Sequence, residues 1–281
     1  MRDVFPILDR IIRQALEEDL GPGDVTTDAV VDAHISGVAL LIAREELVLA
    51  GMPVFERVFH VLDKDVTCEA FYSDGATVPS ETRVCLLKGR LVSILKGERT
   101  ALNFLQRMSG IATLTRRYVE AVQPSQVKIL DTRKTVPGLR VLDKYAVRAG
   151  GGSNHRFGLA DGVLIKDNHI AAAGSISKAV ALAKKNAPHT LKIEVEVEDL
   201  AGVKEACQAG ADVILLDNMQ PPQLTQAVQF IQGKAMIEAS GGITLDTVCQ
   251  VAATGVDMIS VGELTHSPPA VDLSLEIKPR I

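Results

Sequence analysis

An incomplete parallel α/β barrel of the TIM type, with an N-terminal α+β sandwich domain, is the fold class predicted for this 281-residue chain. Three observations predict it. Short apolar runs start near residues 127, 163, 191, 213, 235 and 258, and the last three gaps are 22, 22 and 23 residues, the span of a strand, a turn, a helix and a turn. The segments between them carry apolar residues at helical spacing: Val203, Ala206 and Cys207, then Leu224, Ala227, Val228 and Ile231, then Val248, Val251 and Ala252. Gly210, Gly233 and Gly255 follow these segments, where a helix C-terminal glycine belongs. Strands joined this way run parallel with right-handed crossovers. About six units read clearly, so the barrel is expected to be open or to have fewer than eight strands.

From the N-terminus, Ile7, Leu8, Ile11, Ile12, Ala15 and Leu16 mark an amphipathic helix over Phe5 to Leu20, stopped by Gly21-Pro22-Gly23-Asp24. Residues 36–95 have a strand texture. Val38 to Ile42 and Glu46 to Ala50 are short apolar runs, and the runs 82–87 and 90–95 flank Lys88-Gly89 in the pattern of a hairpin. From Glu98 the period becomes helical through Leu102, Leu105, Gln106 and Ser109, a second helical stretch covers 111–122, and Pro124 ends it. The domain boundary is placed near residue 108, giving an α+β domain over 1–108 and the barrel over 109–269. Residues 270–277 alternate like a half-buried strand, and the C-terminal segment 270–281 is expected to return to the first domain.

The net charge of −5, the absence of Trp and the 4% aromatic content argue against a nucleic-acid-binding surface. No run approaches the roughly 18 apolar residues a membrane span needs, and the first residues do not form a secretory signal. Cys68, Cys85, Cys207 and Cys249 are scattered without a CxxC pair, which makes a zinc site or disulfide framework improbable. Cys207 and Cys249 fall in helical patterns and are expected to be buried thiols in a reducing cytoplasm. The charge is uneven: residues 127–166 hold eight basic side chains against three acidic ones, a local +5. Such a patch in an acidic protein suits a small anionic ligand. Within it Lys128, Arg140 and Lys144 are expected to be solvated surface charges.

Each apolar run ends on chemistry. Residues 127–130 lead to Asp131-Thr132-Arg133-Lys134, residues 162–165 to Lys166, residues 191–195 to Glu196, residues 213–216 to Asp217-Asn218, residues 235–239 to Ser240-Gly241-Gly242, and residues 258–261 to Gly262-Glu263. In a parallel barrel the strand ends of one face form the mouth where reactions occur, so these groups should converge. Arg133 and Lys134 offer a fork and a point charge for carboxylate or phosphate. His155 and Arg156 follow a glycine-rich stretch whose amides can approach an anion. Lys166 ends a buried run and must be paired or face the pocket. Glu194, Glu196 and Glu198 share a strand face, and Glu196 sits nearest the strand end. Asp217 lies one repeat on, near enough to join Glu196 in binding Mg²⁺ or sugar hydroxyls. Ser240-Gly241 and Ser260-Val261-Gly262 stand where barrel enzymes hold phosphate. These groups describe a pocket for a phosphorylated sugar beside a second anionic group.

Asp131 to Arg140 (DTRKTVPGLR) resembles the signature of the quinolinate phosphoribosyltransferases, as do Gly152 to Arg156 (GSNHR), Leu164 to His169 (LIKDNH), Glu194 to Val197 and Leu215 to Asn218. Glu18 to Thr27 and Gly97 to Asn103 fit the same family, and the resemblance spans nearly the whole chain. It implies transfer of phosphoribosyl from phosphoribosyl pyrophosphate to quinolinate with decarboxylation, giving nicotinate mononucleotide, pyrophosphate and CO₂ for NAD synthesis. It also implies a Mg²⁺ requirement, a two-domain subunit and a homodimer or larger assembly.

By position, the resemblance gives the quinolinate carboxylates and the pyrophosphate region to Thr132, Arg133, Lys134, His155, Arg156 and Lys166, with Arg99 donated across the dimer interface. It gives ribose hydroxyls and metal to Glu196 and Asp217, and the 5′-phosphate to Ser240, Gly241, Ser260, Val261 and Gly262. Lys134, Lys166, Glu196 and Asp217 would carry the catalysis. The competing readings are a pyrophosphorylase-like paralogue of molybdenum transport, a nicotinate-using transferase and a non-catalytic phosphoribosyl sensor. The full cationic set disfavours the paralogues, and intact Glu196 and Asp217 disfavour the sensor.

Overall fold

The structure is a computed structural model that describes residues 5–279. In chain order the elements are α1 (Phe5–Leu20), α2 (Val25–Val30), β1 (Ser36–Ala43), β2 (Leu47–Val48), α3 (Met52–Leu62), β3 (Thr67–Ala70), β4 (Thr77–Val78), β5 (Thr82–Arg90), α4 (Leu91–Ala121), β6 (Lys128–Leu130), α5 (Arg140–Ala149) and β7 (Val163–Ile165). There follow α6 (Asp167–Ala173), α7 (Ile176–Asn186), β8 (Ile193–Val197), α8 (Leu200–Ala209), β9 (Val213–Asp217), α9 (Pro221–Ile231), β10 (Met236–Ser240), α10 (Val248–Ala252), β11 (Met258–Ser260), α11 (Glu263–His266) and β12 (Leu273–Pro279). They form two compact units. The first comprises residues 1–114, 136–151 and 267–281, the second residues 115–135 and 152–266.

The first unit is built on an antiparallel sheet of order β12-β1-β5-β3. β1 is central, with Leu41 opposite Leu275 on one side and Cys85 on the other. The C-terminal residues thus pair with the first long strand of the chain. α1 buries Leu8, Ile12 and Leu16, each burial contributing about 1.5–3 kcal/mol, and Arg57 of α3 forks onto Asp9 with both bonds at 2.7 Å.

Residues 90–95 are not the second arm of a hairpin. β5 runs to Arg90 and α4 starts at once. Leu91, Ile94, Ala101, Leu102, Leu105 and Met108 are buried at helical intervals, so the helical period set by the following residues prevails over the short alternation. A Cβ on Gly97 would meet the Phe59 ring at 2.8 Å, so glycine allows α4 to lie close on α3. The two helical stretches around residue 110 are one 31-residue helix, with the division between units after Leu114.

Residues 136–151 belong to the first unit although they follow β6 in sequence. Asp143 of α5 is fully buried there and accepts a fork from Arg107 of α4 at 3.0 and 2.8 Å. Lys144 is only 3% exposed, against the expectation of a solvated charge, because it lies on the α5 face that packs inward with Leu142, Asp143 and Val147. Lys128 is exposed and Arg140 half-buried.

The second unit holds six parallel strands in the order β6-β11-β10-β9-β8-β7. Each strand from β7 to β10 pairs with the next in the chain, and β6 closes onto β11, leaving β6 and β7 at the two ends. This is the open α/β arrangement predicted from the repeat. The helices bury the periodic faces read from the sequence, Val203 and Ala206 in α8, Leu224, Ala227 and Ile231 in α9, and Val248 and Val251 in α10. Cys207 is half-buried, and Cys249 is exposed rather than buried, with its thiol on the Ala121 carbonyl at 2.8 Å. α10 is short, and its buried face is already filled by Val248, Val251 and Ala252. Among the described residues no helix is long and apolar enough to cross a membrane.

Candidate active site

The downstream ends of the six parallel strands surround a cavity of about 400 Å³, lined by Thr132, Arg133, Lys134, His155, Arg156, Leu164, Lys166, Glu196, Leu215, Asp217, Asn218, Glu238, Ser240, Gly241, Gly242 and Ser260. All belong to the second unit. Parallel register explains the gathering. Ser240 lies beside Asp217 on neighbouring strands, and Glu196 lies beside Leu215, so Glu196, Asp217 and Ser240 come from three consecutive strand ends.

The loop after β6 carries the cationic wall. Asp131 is fully buried at the end of β6 and accepts from Asn154 Nδ2 at 2.5 Å and from the His155 backbone N–H at 2.9 Å. Ser153 extends this contact by bridging to Leu130. The buried carboxylate thereby holds two loop segments that lie far apart in sequence. Arg156 is half-buried, and burial, followed by the neighbouring Arg133 guanidinium, lowers its pKa from the usual arginine value. A bound anion would relieve that repulsion. Lys134 is fixed through its own backbone, its N–H on Thr132 Oγ1 at 3.0 Å and its carbonyl accepting from Thr265 Oγ1 at 2.9 Å.

Lys166 and Glu196 pair directly across the cavity wall. Asp217 Oδ2 accepts from Asn218 Nδ2 at 2.8 Å. These bonds take one oxygen of each carboxylate and leave the other for a hydroxyl or a cation. Asn218 is left-handed (φ 54°), a conformation asparagine tolerates, and its N–H reaches the Ser240 carbonyl at 2.9 Å. Gly241 (φ 92°) then passes so close that a Cβ would collide with the Asn218 carboxamide, so only glycine completes this turn.

The cavity floor holds Glu238, which sequence reasoning passed over, and beside it lies Glu194, which was set aside in favour of Glu196. Glu238 is 1% exposed and Glu194 8%. His155 Nε2 lies 3.2 Å from Glu194 Oε2 and 3.6 Å from Glu238 Oε2. Burial, then the neighbouring Glu194 carboxylate, pushes the Glu238 carboxyl up to about 7. The signal was present: Glu238 interrupts the apolar run 235–239 with the same parity as Ser240, so it had to face the barrel interior.

Of the residues singled out from sequence, eleven line the cavity: Thr132, Arg133, Lys134, His155, Arg156, Lys166, Glu196, Asp217, Ser240, Gly241 and Ser260. Gly262 lies against Lys134, where a Cβ would meet Lys134 Cδ at 3.1 Å. Val261 does not line it. Its side chain is 2% exposed and its N–H is taken by the Leu130 carbonyl at 2.9 Å, because it continues the β11–β6 ladder. Arg99 is exposed on α4 of the first unit and is not part of the lining.

The sequence matches the profile of the quinolinate phosphoribosyl transferase C-terminal domain over residues 111–276 and that of the N-terminal domain over residues 24–109. The chain belongs to the quinolinate phosphoribosyltransferase family. It is 44% identical over 270 residues to a probable nicotinate-nucleotide pyrophosphorylase (carboxylating) of Bacillus subtilis, covering 96% of this chain and 93% of the relative. It is 41% identical over 286 residues to the mitochondrial quinolinate phosphoribosyltransferase (decarboxylating) 2a of Nicotiana tabacum, covering 95% and 81%. Among solved structures, NadC from Streptococcus pyogenes superposes with a TM-score of 0.95 at 45% identity over 99% of this chain and 98% of that one. The quinolinate phosphoribosyltransferase fold of this chain is therefore shared with its relatives over both units.

Proposed function

We propose that this protein transfers phosphoribosyl from phosphoribosyl pyrophosphate to quinolinate with loss of CO₂, yielding nicotinate mononucleotide and pyrophosphate. One observation carries the reading beyond family membership: two arginines, two lysines, three acidic side chains and a glycine turn, drawn from separate strand ends, line a single cavity. Arg133, Arg156 and Lys166 suit the two ring carboxylates, Lys134 the pyrophosphate, and Ser240-Gly241 and Gly262 the 5′-phosphate.

The reaction needs two charge changes to be stabilised. The quinolinate nitrogen bonds to ribose C1 as the C1–oxygen bond breaks and its electron pair leaves with pyrophosphate. Glu196 and Asp217 stabilise the cationic ribose, and Lys134 the leaving group. Loss of CO₂ then leaves a pair on ring C2 beside a cationic nitrogen, and a proton taken up there completes the product. No covalent enzyme intermediate is required, and a ribosyl adduct trapped on Glu196 or Asp217 would refute this account. The free oxygens of Glu196 and Asp217 are hard donors of the kind Mg²⁺ takes alongside substrate phosphates. Bound there, the cation would neutralise charge on the pyrophosphate.

Arg99 is exposed on α4, and its proposed role is to complete the cavity of a second subunit in a homodimer. The protein is proposed to act in the cytoplasm. The deciding assay follows CO₂ and mononucleotide formation with quinolinate against nicotinate. Equal turnover of nicotinate without CO₂ would favour the nicotinate-using alternative. Mixed dimers of Arg99→Ala and Lys134→Ala subunits, each inactive alone, should regain activity at one site in each mixed dimer, and no recovery would exclude a shared site.

A further inference from the structure

The two carboxyls of the cavity floor have no part in the reaction as described. Glu194 of β8 and Glu238 of β10 each leave Oε1 buried without a hydrogen-bond partner, and both turn Oε2 toward His155 Nε2. The opposite ring nitrogen, Nδ1, accepts from the Arg156 backbone N–H at 2.7 Å. That contact fixes the ring so that Nε2 faces the two carboxyls. Two buried carboxyls gathered about one histidine do not both ionise readily, and burial and the Glu194 carboxylate outweigh the relief that His155 and the Ser260 hydroxyl give Glu238. The groups facing the pair decide which carboxyl keeps the proton. Arg156 is electrostatically coupled to Glu194, whereas Glu238 faces Glu194 and the Ser260 hydroxyl of β11. Lys128 and Lys192 line the outer end of the same interior.

We infer that Glu238, together with Glu194, locks the His155 imidazole so that the His155–Arg156 turn presents the Arg156 guanidinium to the substrate carboxylates. Glu238 is thus a positioning residue acting through His155. The lock is continuous. Ring Nε2 meets the carboxyls, ring Nδ1 holds the Arg156 N–H, and Asp131 holds the His155 N–H. The three ligand atoms, which lie within 4.8 Å of one another, could also hold a divalent ion. The nearby Arg156 charge disfavours a second cation at this place.

The inference rests on the proposed reaction for its kinetic readout, so the test has one arm that needs no substrate. Glu238→Gln imitates the protonated acid and should keep the quinolinate KM within about threefold, whereas Glu238→Ala should raise it about tenfold or more, with the phosphoribosyl pyrophosphate KM changed by less than about threefold. In thermal unfolding without substrate, the wild type should lose stability between pH 5 and 7 relative to Glu238→Gln. Equal impairment of the Gln and Ala variants, or parallel pH profiles of stability, would overturn the inference, as would a stoichiometric divalent ion in the protein purified without chelator. A wild type that unfolds as stated but does not consume quinolinate would instead count against the proposed reaction.

Discussion

The buried acids of the first unit and those on the barrel floor obey opposite rules. Asp63 accepts from Arg90 Nε at 2.8 Å, Ser93 Oγ at 2.7 Å and the Asp65 N–H at 3.1 Å. The Arg90 and Ser93 hydrogen bonds hold its carboxyl down to about 2. Asp143 takes both arms of Arg107 and the Val136 N–H at 3.2 Å. Both have oxygens used by their neighbours, although at Asp143 burial outweighs the Arg107 fork and raises the pKa. Glu194 and Glu238, equally buried, each keep one oxygen unpartnered and share a histidine. Buried polar groups without partners cost stability and persist where function requires them. The first unit uses its buried charge to hold packing together, and the second holds charge poised around a cavity.

The largest expected effect lies in the cavity. Lys134→Ala and Lys166→Ala should each lower kcat by about 100-fold or more while leaving the melting temperature close to wild type, and normal turnover by either would remove it from the site. Arg107→Ala should show the converse. Stranding Asp143 costs about 3–5 kcal/mol, measurable by urea unfolding, and a loss below about 1 kcal/mol would mean the fork does not hold α5 to α4.

The pH dependences sharpen the contrast because their signs are opposite. Glu238 has a raised folded pKa, so from its unfolded value of 4.5 to about 7 the unfolded chain releases a proton that the folded chain keeps. Stability falls across that window, and Glu238→Gln should be the more stable protein above neutrality by about 1–3 kcal/mol. Asp63 has a lowered folded pKa, so its contribution is complete above 3.8 and is lost as pH falls toward about 2. Asp63→Asn should flatten only that acid limb, by about 1–2 kcal/mol, and a variant that still lost stability there as the wild type does would place the acid sensitivity elsewhere.

Much of the fold could be read in the chain because its periods are regular. α1 ends where Leu20 meets Gly21-Pro22-Gly23, and the strand starts near 213, 235 and 258 fall within a residue of β9, β10 and β11. Short windows misled where two periods fit the same residues, as in the run 90–95, which alternates like a strand although residues 91–95 belong to α4. Lys144 and Cys249 were misplaced because burial depends on what packs against a helix face, and the residues of that face do not say. Val261 looked like part of a phosphate turn, yet its N–H serves the ladder to β6.

The order of elements, the open parallel sheet and the set of charged groups at its strand ends follow from the amino-acid sequence alone, since periodicity and side-chain chemistry are local properties. Tertiary structure alone decided that Glu194, Glu238 and His155 meet, which of their oxygens lack partners, and that α5 packs with the first unit. Those outcomes depend on the register between strands distant in the chain and on the exclusion of water from the space they enclose, and neither is written at any single position.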